Sequence, residues 1–148
     1  IFDDDKTAAN TRIEKLLEAI KSKNGDIVKS MFSKNAIADA NNIDENIFKL
    51  FNCFKGEILS YEDWGGPGVS QGNNDDGSGC IWKILRSTYD VKTSENTYRF
   101  AIKEFTTDTA DPNNVGVYSI YVINAKDTDM DVAYWGDGNW TPGLTVVS

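Results

Sequence analysis

At Glu57 the spacing of apolar residues changes, and no other feature constrains the fold as strongly. Before it they recur every three or four positions, as on one face of a helix; after it they alternate with polar residues, as on a strand. Each such element has one apolar face to remove from water. Helices gathered at the start and strands after them therefore pack as two layers. The expected class is α+β, with N-terminal helices on an antiparallel sheet.

Ala9, Ile13, Leu16, Leu17 and Ile20 form the first helical stripe, with charged residues between them. The helix is expected to stop near Asn24, with Gly25 as its left-handed cap. Asp26 is expected to cap a short second helix through Ile27, Val28, Met31 and Phe32, and residues 33–42 read as an irregular link. Asp44 then caps a helix carrying Ile47, Phe48, Leu50, Phe51 and Phe54, closed by Lys55 and Gly56. Strands are expected over residues 57–63, 80–91, 97–106 and 115–124. Between the first two lies a stretch from Trp64 to Gly79 rich in Gly, Asn and Asp, which reads as the longest loop. The tail from Ala125, with Met130, Val132, Tyr134, Trp135 and Trp140, suits a short edge strand and a docked end. At 148 residues the chain reads as one domain, residues 1–148.

Composition excludes several functions. Fifteen Lys and Arg against 23 Asp and Glu leave a net charge of −8, and the basic residues do not cluster along the sequence, so nucleic acid is not an expected partner. No run approaches the roughly 18 apolar residues of a membrane span. The chain has no histidine, which removes Ser-His-Asp triads, Cys-His dyads and histidine-ligated zinc or haem. Cys53 and Cys80 cannot hold a structural zinc alone; they read first as small buried hydrophobes, with a disulfide as the alternative. No cofactor is expected. The chain begins Ile1-Phe2-Asp3 without an initiator Met and reads as a mature or trimmed product.

On the long strands one parity collects Trp82, Ile84, Arg86 and Thr88, then Tyr98, Phe100 and Ile102; the other carries Lys83, Arg99 and Lys103. The first set is expected to face the helices. Arg86 on that face needs a carboxylate partner, or else a pocket mouth where it meets an anionic or polar ligand. Tyr98 and Tyr118 could place hydroxyls in the same cavity, although packing is the commoner role of sheet aromatics. Trp82, Arg86, Tyr98 and Tyr118 are thus the candidate ligand-binding residues, and no catalytic residue is assigned. An acid-base role would fall to Glu104 or Asp90, both near strand ends where solvent keeps a carboxylate ordinary. The alternating acids Asp127, Asp129 and Asp131 open like a calcium loop, but Val132 and Gly138 replace its glycine and closing glutamate, and Asn73 to Gly77 reads as turn composition, so no metal site is assigned. Among the tryptophans, Trp64 and Trp140 sit between Gly and Pro and read as plugs for an open end of the fold before platforms for a ligand.

Two segments carry a resemblance. Ile13-Glu14-Lys15-Leu16-Leu17-Glu18-Ala19-Ile20, leading to Asp26-Ile27-Val28-Lys29-Ser30-Met31-Phe32-Ser33, resembles the opening of nuclear transport factor 2-like domains, also called the cystatin-like cone. Asn114-Val115-Gly116 followed by Tyr118-Ser119-Ile120 is similar to small bacterial lipoproteins of that superfamily with no assigned function. The resemblance implies a first helix lying across a curved sheet with a pocket between them. That superfamily holds enzymes as well as binding modules, so the likeness alone fixes no function. With no histidine and no acid that stands out, the expected role is a non-catalytic module for a small molecule or protein partner. The resemblance implies the bacterial cell envelope, a lipid anchor upstream of Ile1 and pairing of two copies through their sheets. The alternatives are an isomerase- or cyclase-type enzyme using the pocket, and a cytoplasmic location.

Overall fold

The computed structural model describes residues 3–74, 76, 77, 79–125 and 136–147. Among them are helices α1 (Asp3–Lys21), α2 (Gly25–Met31), α3 (Lys34–Asp39) and α4 (Ile43–Cys53). The strands are β1 (Ile58–Asp63), β2 (Gly68–Asn73), β3 (Cys80–Thr93), β4 (Thr97–Asp108), β5 (Gly116–Asn124) and β6 (Gly143–Val147). A 3-10 turn at Pro112–Asn114 leads into β5.

The buried face of α1 is the expected stripe: Ala9, Ile13, Leu16, Leu17 and Ile20. Its end differs from expectation. Lys23, not Gly25, takes the left-handed conformation, and the Asn24 N–H donates to the Ala19 carbonyl at 2.9 Å, closing the last turn. Gly25 is instead the first residue of α2, where Asn24, not Asp26, supplies the side-chain cap by accepting from the Ile27 N–H. The link at 33–42 is largely helical, because the Ser33 hydroxyl accepts from the Ala36 N–H and starts α3. Asn42 precedes α4, leaving Asp44 and Glu45 in the first turn, where their charge suits the helix dipole.

Among the described residues the sheet has six strands, in the order β1-β3-β4-β5-β6 with β2 also paired to β3. β1 lies against residues 89–93 of β3 and β2 against residues 80–86, so the two short strands share one long neighbour. β2 falls inside the expected loop. An antiparallel sheet was expected, but it is mixed, because β6 runs parallel to β5. A parallel pair needs a crossover of a dozen or more residues, and the distance between Asn124 and Gly143 allows one.

The core lies between the helices and one face of this sheet, joining Ile13, Leu16 and Leu17 to Tyr89, Val91, Tyr98, Phe100, Ile102, Val117, Ile120 and Val122. β6 adds Leu144 and Val146. No described helix is long and apolar enough to cross a membrane.

Candidate functional site

The space expected to be a pocket between α1 and the sheet is filled. Ile13, Leu16, Phe100, Val117 and Ile120 are all 0% exposed there. Several polar groups are paired across this interface. The Arg12 guanidinium donates from Nε to Glu104 Oε2 at 3.1 Å, and the Tyr89 hydroxyl donates to Asn10 Oδ1 at 3.1 Å. Lys83 Nζ donates to Asp5 Oδ1 at 3.1 Å, while Asp5 Oδ2 has no partner among the described residues. Glu104 is 3% exposed, and burial pushes its carboxyl above the ordinary value, with Arg12 opposing that rise. Burial likewise pushes the Tyr89 phenol up, so it stays a neutral donor. Glu104 thus has the raised pKa a general acid would need, but it faces a guanidinium and close-packed carbon instead of a space for substrate.

The four candidate ligand residues are divided between the two faces of the sheet, Tyr98 on one and Trp82, Arg86 and Tyr118 on the other. Tyr98 is on the helix side, stacked on Phe54 with ring centroids 4.5 Å apart. Its hydroxyl donates to the Cys53 carbonyl at 3.0 Å and accepts from the Lys55 N–H at 2.8 Å and from Asn96 Nδ2 at 3.1 Å. It borders a hollow of about 200 Å³ under the end of α4, but its bonds tie α4 to the sheet. Trp82 and Arg86 lie on the opposite sheet face. The ladder decides this: Val91 is opposite Tyr98 and Tyr89 opposite Phe100, so the odd residues of β3 share the helix face with the even residues of β4. β3 carries apolar residues on both parities, and Trp82 with Ile84 pointed to the wrong one. Lys83 accordingly faces α1, whereas Arg99 and Lys103 stand on the outer face with Arg86.

Tyr118 also joins the outer face, at the β4–β5 register shift, with its ring 6.3 Å from that of Phe105. Asp90 is there too, accepting from Arg99 Nε at 2.8 Å and Nη2 at 3.1 Å, with the Trp64 ring 4.2 Å above the guanidinium. Asp90 is therefore a counterion, and Trp64, expected at an open end of the fold, stacks on the Arg99 guanidinium on the outer sheet face. Cys53 is a half-buried free thiol, so the disulfide alternative is not formed. Among the described residues no group of three or more Cys, Asp or Glu side chains could hold a metal ion. The acids at Asp127, Asp129 and Asp131 lie outside the described residues, as does Asp75 of the turn from Asn73 to Gly77.

A larger opening than the hollow beside Tyr98 lies elsewhere, a groove of about 420 Å³ between the second half of α1, the end of α4 and the start of β1. Its floor is Leu17, Ile20, Phe51, Phe54 and Ile58, and its rim carries Glu14, Glu18, Lys21, Lys23 and Glu57. Helical spacing found every floor residue except Ile58. It could not show that the packing of α1, α4 and β1 leaves space between them.

Residues 15–125 match a family described as a domain of unknown function (DUF5104). The chain belongs to this DUF5104 family. No curated protein matches it. The DUF5104 span takes in the whole outer-face cluster and every groove residue but Glu14, while β6 and the first turns of α1 fall outside it.

Proposed function

We propose that this DUF5104 chain is a non-catalytic binding module that takes a small amphipathic molecule in the groove between α1, α4 and β1. The observation that carries this reading is the groove itself. Its volume of about 420 Å³ is within the size range of small-molecule sites, and it combines an apolar floor with a charged rim that could orient a polar end. The enzyme alternative needs an acid opposite an open space, and Glu104 is closed in by Arg12.

For the architecture we infer the cystatin-like cone. Support comes from the helix-first order, from α1 packed on one face, and from the register shifts in β3–β4 and β4–β5, since bulges bend a sheet. By the likeness to small bacterial lipoproteins, the cell envelope is the location we propose.

The neutral fluorophore N-phenyl-1-naphthylamine tests the groove, because it is apolar and carries no charge to draw it to the cationic face. Saturable fluorescence enhancement is expected. Phe51→Gln and Ile58→Gln should each weaken it by roughly tenfold, the loss of about one buried apolar side chain. Absence of saturable binding, or binding unchanged in both variants while far-ultraviolet circular dichroism shows them folded, would overturn the reading.

A further inference from the structure

The sheet face turned away from the helices carries an arrangement that the groove does not use. Arg86 on β3 and Lys103 on β4 are directly opposite in the ladder, on the same face. Like charges in such a pair repel and cost stability. A chain with 23 acidic residues has ample means to neutralise them, yet no described carboxylate lies within ion-pair distance of either. Four residues along β3 the same ladder shows the opposite choice, with Asp90 across from Arg99 and bonded to it through two donors.

The two cations are also held in place. Arg86 Nη1 donates to the Ser70 hydroxyl at 3.0 Å, using one of the five donors of the guanidinium. Lys103 Nζ lies 5.1 Å from the centroid of the Tyr118 ring and 5.9 Å from that of Phe105, within cation–π range of both. Burial and then the charge of Arg86 lower the Lys103 pKa, as expected of an ammonium short of water and of an anion. Tyr118, Phe105 and Lys103 are each only half-buried, so the surface is reachable.

We propose that Arg86 and Lys103, oriented by Ser70 and flanked by Phe105 and Tyr118, form an oxyanion-binding site for a carboxylate or phosphate carried on a small molecule with a flat apolar face. The guanidinium fork and the ammonium would share the anion, turning a repulsive pair into two charge-assisted contacts. The rings would cover the apolar part of the ligand. The site is independent of the groove, on the other side of the sheet.

The test is titration of the full chain with sodium benzoate, with sodium phosphate and with sodium chloride at matched ionic strength, followed by backbone amide nuclear magnetic resonance and thermal denaturation. Saturable shifts are expected around residues 84–86, 103–105 and 117–119 with benzoate or phosphate and not with chloride, together with a higher melting temperature. Tighter benzoate binding identifies an aryl carboxylate as the ligand class, and tighter phosphate binding a phosphate group. Arg86→Gln and Lys103→Gln should each weaken binding by roughly tenfold or more. Lys103→Gln should also raise the melting temperature in the absence of anion, which simple damage to the fold would not do. Ser70→Ala, outside the anion contacts, should weaken binding less and leave the fold intact. The proposal fails if chloride produces the same shifts, or if the folded Arg86→Gln variant binds as the unaltered chain does.

Discussion

At the scale of single residues, the pairing of Arg12 with Glu104 sets a pH dependence whose sign can be worked out. Burial raises the Glu104 carboxyl above its ordinary value and Arg12 restrains the rise. Between the unfolded and folded values the native state binds more protons, so this group makes stability fall as pH rises through that window. Arg12→Met leaves burial unopposed, lifts the folded value further and strands a buried carboxylate at neutral pH. We expect a loss of about 1–3 kcal/mol at pH 7 that shrinks towards zero below about pH 4, where the carboxyl is protonated in both states. Urea denaturation across that range measures it; a pH-independent loss would mean that Arg12 acts through packing alone. Glu104 was legible in the sequence as an acid on the apolar parity of β4, but its partner, 92 residues away, was not. Arg86 was legible as a cation in need of an anion. The face it occupies was not, because Ile84 and Leu85 are both buried and alternation along β3 alone favours neither side.

At the scale of elements, the α-then-β order and the long strands followed from period, whereas α3 and β2 did not. α3 is six residues long, too short to show a period, and its signal was the cap at Ser33. β2 reads Gly-Val-Ser-Gln-Gly-Asn, a composition of loops, and it is a strand because the edge of β3 offers it unpaired backbone groups. Gly72 on β2 lies under the Trp82 indole, where a Cβ would fall 2.3 Å from Nε1. A similar tertiary demand operates where β5 begins. Gly116 has φ +130°, and a Cβ there would lie 2.9 Å from the Ser33 nitrogen and 3.2 Å from the Met31 carbonyl oxygen. That close approach lets the Ser33 N–H donate to the Val117 carbonyl at 2.9 Å and join the α2–α3 corner to the sheet. Gly116→Ala should therefore cost about 2–4 kcal/mol, combining backbone strain with the clash. Denaturant unfolding monitored by circular dichroism would measure it, and a loss under about 1 kcal/mol would mean the corner can move aside.

At the scale of the whole molecule, the residues that match the DUF5104 family are not the residues that complete its core here. The span 15–125 omits Ile13, the Lys83 partner Asp5, and all of β6, including Leu144 and Val146. Ile13, Leu144 and Val146 are all buried, and each contributes about 2 kcal/mol when removed from water, roughly 6 kcal/mol together. Domains of this size are stable by only about 5–15 kcal/mol, so that loss takes a large part of the margin. Removing β6 also exposes the edge of β5 and the flank of α4, an invitation to pairing between chains. We therefore expect a fragment of residues 15–125 to lose cooperative thermal unfolding and to aggregate, and a fragment of residues 3–147 to unfold in a single transition. Scanning calorimetry with light scattering separates the two. A cooperative transition in the shorter fragment would mean that β6 is an accessory strand and that the family span folds alone, in which case the hollow under α4, bordered by Val146 and Val147, would open into a wider cleft beside Tyr98.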